Sequence, residues 1–175
     1  MSTRTLTLTA MMAAALCILG PVTLPVGPVP LSLTTGVLMG MALILGVRRA
    51  GMCCGVYLLL GLLGLPVFSG FTGGMGALLG PTGGFLLGYL PLTAWWGLAC
   101  ARTSDRRRQA LALATGTLVL YAVGAAWYSW QTRVSVASAI TVCVLPFLVG
   151  DALKIAAAVT IGNSIKSRLR KAGLI

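Results

Sequence analysis

Six apolar runs divide the chain, and the breaks between them are either basic or rich in glycine and proline. The runs cover about 6–19, 31–47, 50–65, 85–101, 110–130 and 139–161. A helical membrane span needs ~20 apolar residues. In lipid, a spanning backbone must satisfy its own polar groups, which a helix does. Charge supports the same solvent. Only 9% of residues are charged, against roughly 25% in a soluble domain, too few to cover a water-soluble globule. The expectation is an all-α integral membrane protein of six transmembrane helices, forming one domain over 1–175. The third run is short for a full span.

The first run follows Arg4 and has the outline of a signal peptide, a charged start and a short apolar core. "PVTLPVGPVP" at 21–30 follows it directly, with no polar mature segment. An uncleaved first span is therefore expected. Place the N-terminus in the cytoplasm and count six spans. The inner segments then hold Arg4, Arg48, Arg49, Arg102, Arg106, Arg107, Arg108, Lys166, Arg168, Arg170 and Lys171, eleven of the thirteen basic residues. The outer loops hold only Arg133, and Lys154 lies inside a span. Positive residues gather on the cytoplasmic side of membrane proteins, so both termini are expected there.

The net charge of +11 does not point to nucleic acid, because no stretch interleaves basic and aromatic residues. The chain has no His and five scattered cysteines, Cys17, Cys53, Cys54, Cys100 and Cys143. No metal or disulfide spacing results; buried free thiols are expected. "GPTGG" lacks the Lys of a phosphate-binding loop, and "GGMGALLG" lacks the strand-to-helix setting of a dinucleotide fold. No two carboxylates are placed to share a site, since Asp105 lies in a basic inner loop. General acid–base work has no pair to run on. The expectation is a protein that is not an enzyme, has no cofactor, and draws energy for transport from another protein.

Asp105 and Asp151 are the only acidic residues. Asp151 and Lys154 lie within the last apolar run, three apart, and so share a helical face. A charge inside a bilayer is costly, which makes such residues face an interior cavity and serve function. The pair offers an acceptor and a three-fold donor, fit for a ligand with N–H donors and a carbonyl or carboxylate. The outer segment "PVFSGFTGGMGALLGPTGG" at 66–84 is long, uncharged and rich in Gly and Pro. Irregular backbone at a membrane must pack on protein or line a cavity, so it reads as a lid over an outward-facing pocket. Small residues recur every four at Ala10 and Ala14, Gly36 and Gly40, Gly51 and Gly55, and Gly80, Gly84 and Gly88; they permit close helix contact.

The sequence resembles the BioY family, the biotin-specific substrate-binding (S) components of energy-coupling-factor (ECF) transporters. The resemblance rests on "GPVPLSLTT" at 27–35, "LGLLGLPVFSG" at 60–70, "GALLGPTGGFLLGYLP" at 76–91 and "GDALK" at 150–154. It implies six helices in the cytoplasmic membrane of a prokaryote and a biotin pocket near the outer face, covered by the first and third outer loops. By that resemblance Asp151 and Lys154 contact biotin, with Gly73, Gly74, Gly80, Pro81, Thr82 and Gly83 lining the pocket. Phe85, Tyr89, Phe68, Phe71 and Trp127 are candidate apolar walls. The implied partners are biotin, a transmembrane coupling protein (EcfT type) docking on Ala10 and Ala14, two ATPases (EcfA type) and membrane lipid. Two alternatives stay open. One is an S component for another vitamin or a carrier working alone. The other is a structural membrane protein in which Asp151 and Lys154 pin helices.

Overall fold

In a computed structural model, residues 3–24 and 29–173 are described. They form a bundle of apolar helices. Helix α1 (Thr3–Leu19) buries Thr5, Thr9, Ala13 and Leu16. Its interior hydroxyl is satisfied within the helix, Thr9 Oγ1 donating to the Thr5 carbonyl at 2.8 Å. The opposite face, with Ala10, Met11, Ala14 and Ile18, is exposed. A two-residue antiparallel ladder follows, β1 (Thr23–Leu24) with β2 (Leu31–Ser32), pairing Thr23 with Ser32.

Helix α2 (Thr34–Leu62) absorbs the second and third runs. Its helical path is interrupted at Gly46, with φ 73° and ψ −178°, a conformation that side-chain-bearing residues avoid. The two halves come together at the end of α1. The Gly20 carbonyl accepts from Thr34 Oγ1 at 3.2 Å, and a Cβ on Gly20 would lie 3.0 Å from the Tyr57 ring. Thr34 and Tyr57 are 57 − 34 = 23 positions apart, which a straight helix would separate by ~34 Å. The chain therefore reverses at Gly46. Gly97 admits the turn closely, since a Cβ there would lie 2.7 Å from Val47 N and Cα.

The Gly- and Pro-rich segment after α2, read from sequence as a lid, carries some regular structure. It contains a bridge between Phe68 and Thr72 and a short helix α3 (Met75–Leu79). Helix α4 (Gly83–Ala101) and helix α5 (Arg106–Thr132) then pack tightly. Gly116 lies under the Trp96 indole and Gly124 under the Phe85 ring. Asp105 starts α5, its Oδ1 accepting the Arg107 N–H at 3.0 Å.

The sixth run is divided. Helix α6 (Val136–Cys143) ends at Val144, and α7 (Leu145–Ala157) begins afresh with Pro146 in its first turn, where a missing N–H costs nothing. A π-helical turn (Ala158–Gly162) and α8 (Asn163–Lys171) continue α7. By length and composition, α2, α4, α5 and Leu145–Lys171 are apolar enough to cross a membrane, and α1 is a shorter apolar helix.

Candidate ligand-binding site

Asp151 and Lys154 lie one turn apart on α7, as their spacing requires, and both are largely enclosed. Their side chains are 7% and 12% exposed, and Lys154 Nζ stands 2.6 Å from Asp151 Oδ1. Two residues from other helices complete the cluster. Lys154 Nζ also donates to Thr35 Oγ1 at 3.1 Å, and Thr35 Oγ1 donates to Asp151 Oδ1 at 3.4 Å. Tyr121 Oη donates to Asp151 Oδ2 at 2.5 Å. The carboxylate thus receives three protein donors, while an ionised carboxylate has about four acceptor positions. Lys154 uses two of its three N–H donors. One acceptor and one donor are left for a ligand.

Local packing fixes the pair. Lys154 lies across Gly36 on α2, where a Cβ would come within 3.2 Å of the lysine Cγ. Gly150 rests on Leu31, with 3.1 Å from a Cβ to Leu31 Cδ2. Tyr121 is held in a small apolar cluster with Val29, Cys143 and Phe147.

The pair opens into a cavity of about 650 Å³, within the usual size range of small-molecule sites. Of the residues expected from sequence, Gly73, Gly80, Pro81, Thr82, Phe85, Tyr89, Phe68, Asp151 and Lys154 line it. Four do not. Gly74 has φ 83° at the start of α3 and donates its N–H to the Gly61 carbonyl at 2.6 Å. Gly83 is packed on the Leu78 carbonyl. Both shape the loop from outside the cavity. Phe71 is exposed and outside it. Trp127 instead stands behind the wall, its Nε1 donating to the Gly80 carbonyl at 3.0 Å, while Gln131 Nε2 donates to the Leu79 carbonyl at 2.8 Å.

Sequence reading missed Thr35, Tyr121, Ser32, Leu120 and Phe147, all of which line the cavity. Of the covers expected from sequence, the first outer loop and the 66–84 segment border the cavity, and the third outer loop does not. Val29 and Pro30, before β2, and residues of 68–82 supply the cover, whereas the α5–α6 connection contributes nothing to the lining. The α5–α6 connection is only three residues long, 133–135, too short to reach over the bundle. Residues 25–28, where "GPVPLSLTT" begins, lie outside the described residues.

Fold and cavity together define a helical membrane protein with a mostly apolar chamber built around one ion pair. Comparison with known proteins names the kind. The model of the BioY family matches residues 1–171, and the chain belongs to that family. It is 35% identical to the biotin transporter BioY2 of Lactococcus lactis over 151 residues, 85% of this chain and 82% of the relative. It is 33% identical to a probable biotin transporter BioY of Pyrococcus horikoshii over 167 residues, 95% of this chain and 98% of the relative. Among solved structures it is similar to the S component for biotin of an ECF-type ABC transporter, with TM-score 0.86 and 30% identity, covering 98% of this chain and 95% of the other.

Proposed function

We propose that the chain binds biotin and serves its uptake across the cytoplasmic membrane as the substrate-specific subunit of an ECF-type ABC transporter. The observation that carries this is the Asp151–Lys154 pair opening into an apolar, aromatic-walled cavity. Biotin has a ureido ring with two N–H donors and a carbonyl, an apolar thioether ring and a carboxylate tail. The remaining acceptor position of Asp151 suits a ureido N–H. The remaining donor of Lys154 suits the ureido oxygen or the carboxylate. Phe68, Phe85, Leu86, Tyr89, Leu120 and Phe147 suit the fused rings.

The finer organisation follows the same reading. Six spans arise if each limb of α2 crosses the membrane, with α1, α4, α5 and the α7–α8 helix as the others. All eleven inner basic residues then sit at one end, and both termini are cytoplasmic. Reporter fusions after Arg108 and after Arg133 test this: opposite sides are expected, and the same side for both would overturn it. The 1–175 chain acts as one binding domain without a cofactor, so a coupling protein and two ATPases must supply the energy. The exposed small-residue face of Ala10 and Ala14 on α1 fits close contact with the coupling protein.

The three donors that Asp151 takes from its own chain also favour a second reading, in which the cluster only pins α2, α5 and α7 together. Titration of the purified protein with labelled biotin separates the two. Saturable, tight binding is expected, and no binding leaves the pinning role alone. On the same preparation, Ala14→Trp should leave binding intact and sharply reduce co-purification with the coupling protein and ATP-driven uptake. If binding and uptake fall together, that face belongs to the fold; if neither falls, the coupling protein grips another surface.

A further inference from the structure

A second recess, of about 550 Å³, lies where the Gly46 reversal meets α8. Arg48, Arg49, Lys166 and Arg170 line one part of it, and Ile44, Leu45, Val47 and Met52 the other. It is remote from the ion-pair cavity. Along α2 it is 46 − 35 = 11 positions from Thr35, and along the last helix 166 − 154 = 12 positions from Lys154. Each is a helical distance of ~16–18 Å.

Among the described residues, the four cations meet no carboxylate. The chain has only two acidic residues; Asp151 is held by Lys154, and Asp105 caps α5 beside Arg108. Among the described residues, no salt bridge reaches any of the four. Lys166 and Arg170 are i,i+4 on α8, a spacing at which like charges repel, and Arg48 and Arg49 are adjacent. Among the described residues, these positive charges face one another without an ion-pair partner.

We infer that this recess binds the phosphate headgroup of an anionic phospholipid, with the first part of an acyl chain against Val47 and Met52, over the buried Ile44 and Leu45. The apolar half decides between a lipid and a free anion. A bare phosphate would use the cations and leave Val47, half-buried, and Met52, 42% exposed, uncovered. Basic recesses between helices at the cytoplasmic membrane face are suited to anionic headgroups. The inference borrows from the functional reading only the side on which this end lies.

The test is native mass spectrometry of the full chain in mild detergent, titrated with phosphatidylglycerol or with phosphatidylcholine. Phosphatidylglycerol should be retained preferentially. The triple substitution R49Q/K166Q/R170Q should lower its apparent affinity on the order of 100-fold. The exposed triple R106Q/R107Q/R108Q removes the same charge and should change it less than about threefold, since screened surface charges act weakly. Circular dichroism checks the fold of both, and R49K/K166R/R170K, which keeps the charge, should retain binding. Equal retention of the two lipids would overturn the proposal. So would an equal loss in both charge-removing triples, or a charge-keeping triple that loses the lipid. Displacement by inorganic phosphate alone would assign the recess to a free anion instead. Biotin titration of the same preparations is a separate readout, so either reading can fail without the other.

Discussion

The two carboxylates of this chain have the same local pattern and opposite surroundings. Asp105 precedes Arg108 by three residues, and Asp151 precedes Lys154 by three. At the α4–α5 connection the ions are 3.7 Å apart, with side chains 52% and 77% exposed. In α7 they are 2.6 Å apart and almost enclosed. Asp105 also accepts a backbone N–H and starts a helix, which is ordinary capping work. Asp151 instead gathers donors from three helices. An exposed ion pair contributes about 0–1 kcal/mol, while breaking an enclosed pair by removing one partner costs about 3–5 kcal/mol. Spacing therefore places both pairs on one turn, and only the surroundings say which of them can do more than hold a helix end.

The strongest break in that contrast is Lys154→Ala. It leaves Asp151 as an unbalanced charge facing the cavity, and a biotin carboxylate would then enter against it. Binding should weaken by about 2–4 kcal/mol, and thermal stability should fall as well. Asp151→Asn should weaken binding within the same range of about 2–4 kcal/mol, but with a smaller loss of stability, because the amide keeps a carbonyl acceptor. Labelled-biotin titration and thermal unfolding of the purified variants measure both. Near-native affinity in both would reduce the enclosed pair to the same pinning role as its exposed counterpart.

Tyr121→Phe sharpens the comparison at an intermediate size. It removes the hydroxyl that reaches Asp151 Oδ2 and leaves the ring in its apolar cluster with Val29 and Phe147. Hydrogen bonds to charged groups contribute about 1.5–3 kcal/mol. The freed oxygen can be partly satisfied by the ligand, so the loss in biotin affinity should fall near the lower end, about 1.5 kcal/mol. A loss as large as that of Lys154→Ala would mean that Tyr121 contacts the ligand itself.

Much of this site was legible because a charge inside an apolar run is conspicuous. Asp151 and Lys154 needed only the bilayer and a helical period. Thr35 and Tyr121 gave no such signal. A threonine at the start of an apolar run and a tyrosine within another are ordinary packing residues, and what makes them partners is which helices touch. The fold divides in the same way. Arg48 and Arg49 marked the break between the second and third runs, but the reversal is carried by Gly46, with φ 73°, and composition does not reveal backbone angle. Pro146 was visible inside the sixth run, yet hydropathy alone passed over it, and α6 and α7 were read as one. The π-helical turn at Ala158–Gly162 has no sequence mark that separates it from α-helix. Gly74 and Gly83 are expected as lining only through the resemblance, as members of the family's glycine-rich loop. Their work is to let the backbone turn at one and to rest on a carbonyl at the other.

The smallest effects belong to Asp105, and they complete the contrast. Asp105→Asn keeps a good N-cap, since Asn and Asp are comparable there, and removes only the exposed ion pair with Arg108. Its cost should be at most about 0.5 kcal/mol in stability, fading further in high salt as screening shortens the reach of surface charge. Asp105→Ala removes the cap as well and should cost about 1 kcal/mol. Neither should alter biotin affinity, because the residue is exposed at the basic end and distant from the cavity. Unfolding at low and high salt, beside biotin titration, distinguishes the contributions. The Asn variant responding to salt as the parent does would show that the pair with Arg108 contributes nothing and the cap alone holds this helix start. A fall in biotin affinity in either variant would mean that the two ends are coupled through α5, which also carries Tyr121, and that the exposed pair is not inert toward the cavity.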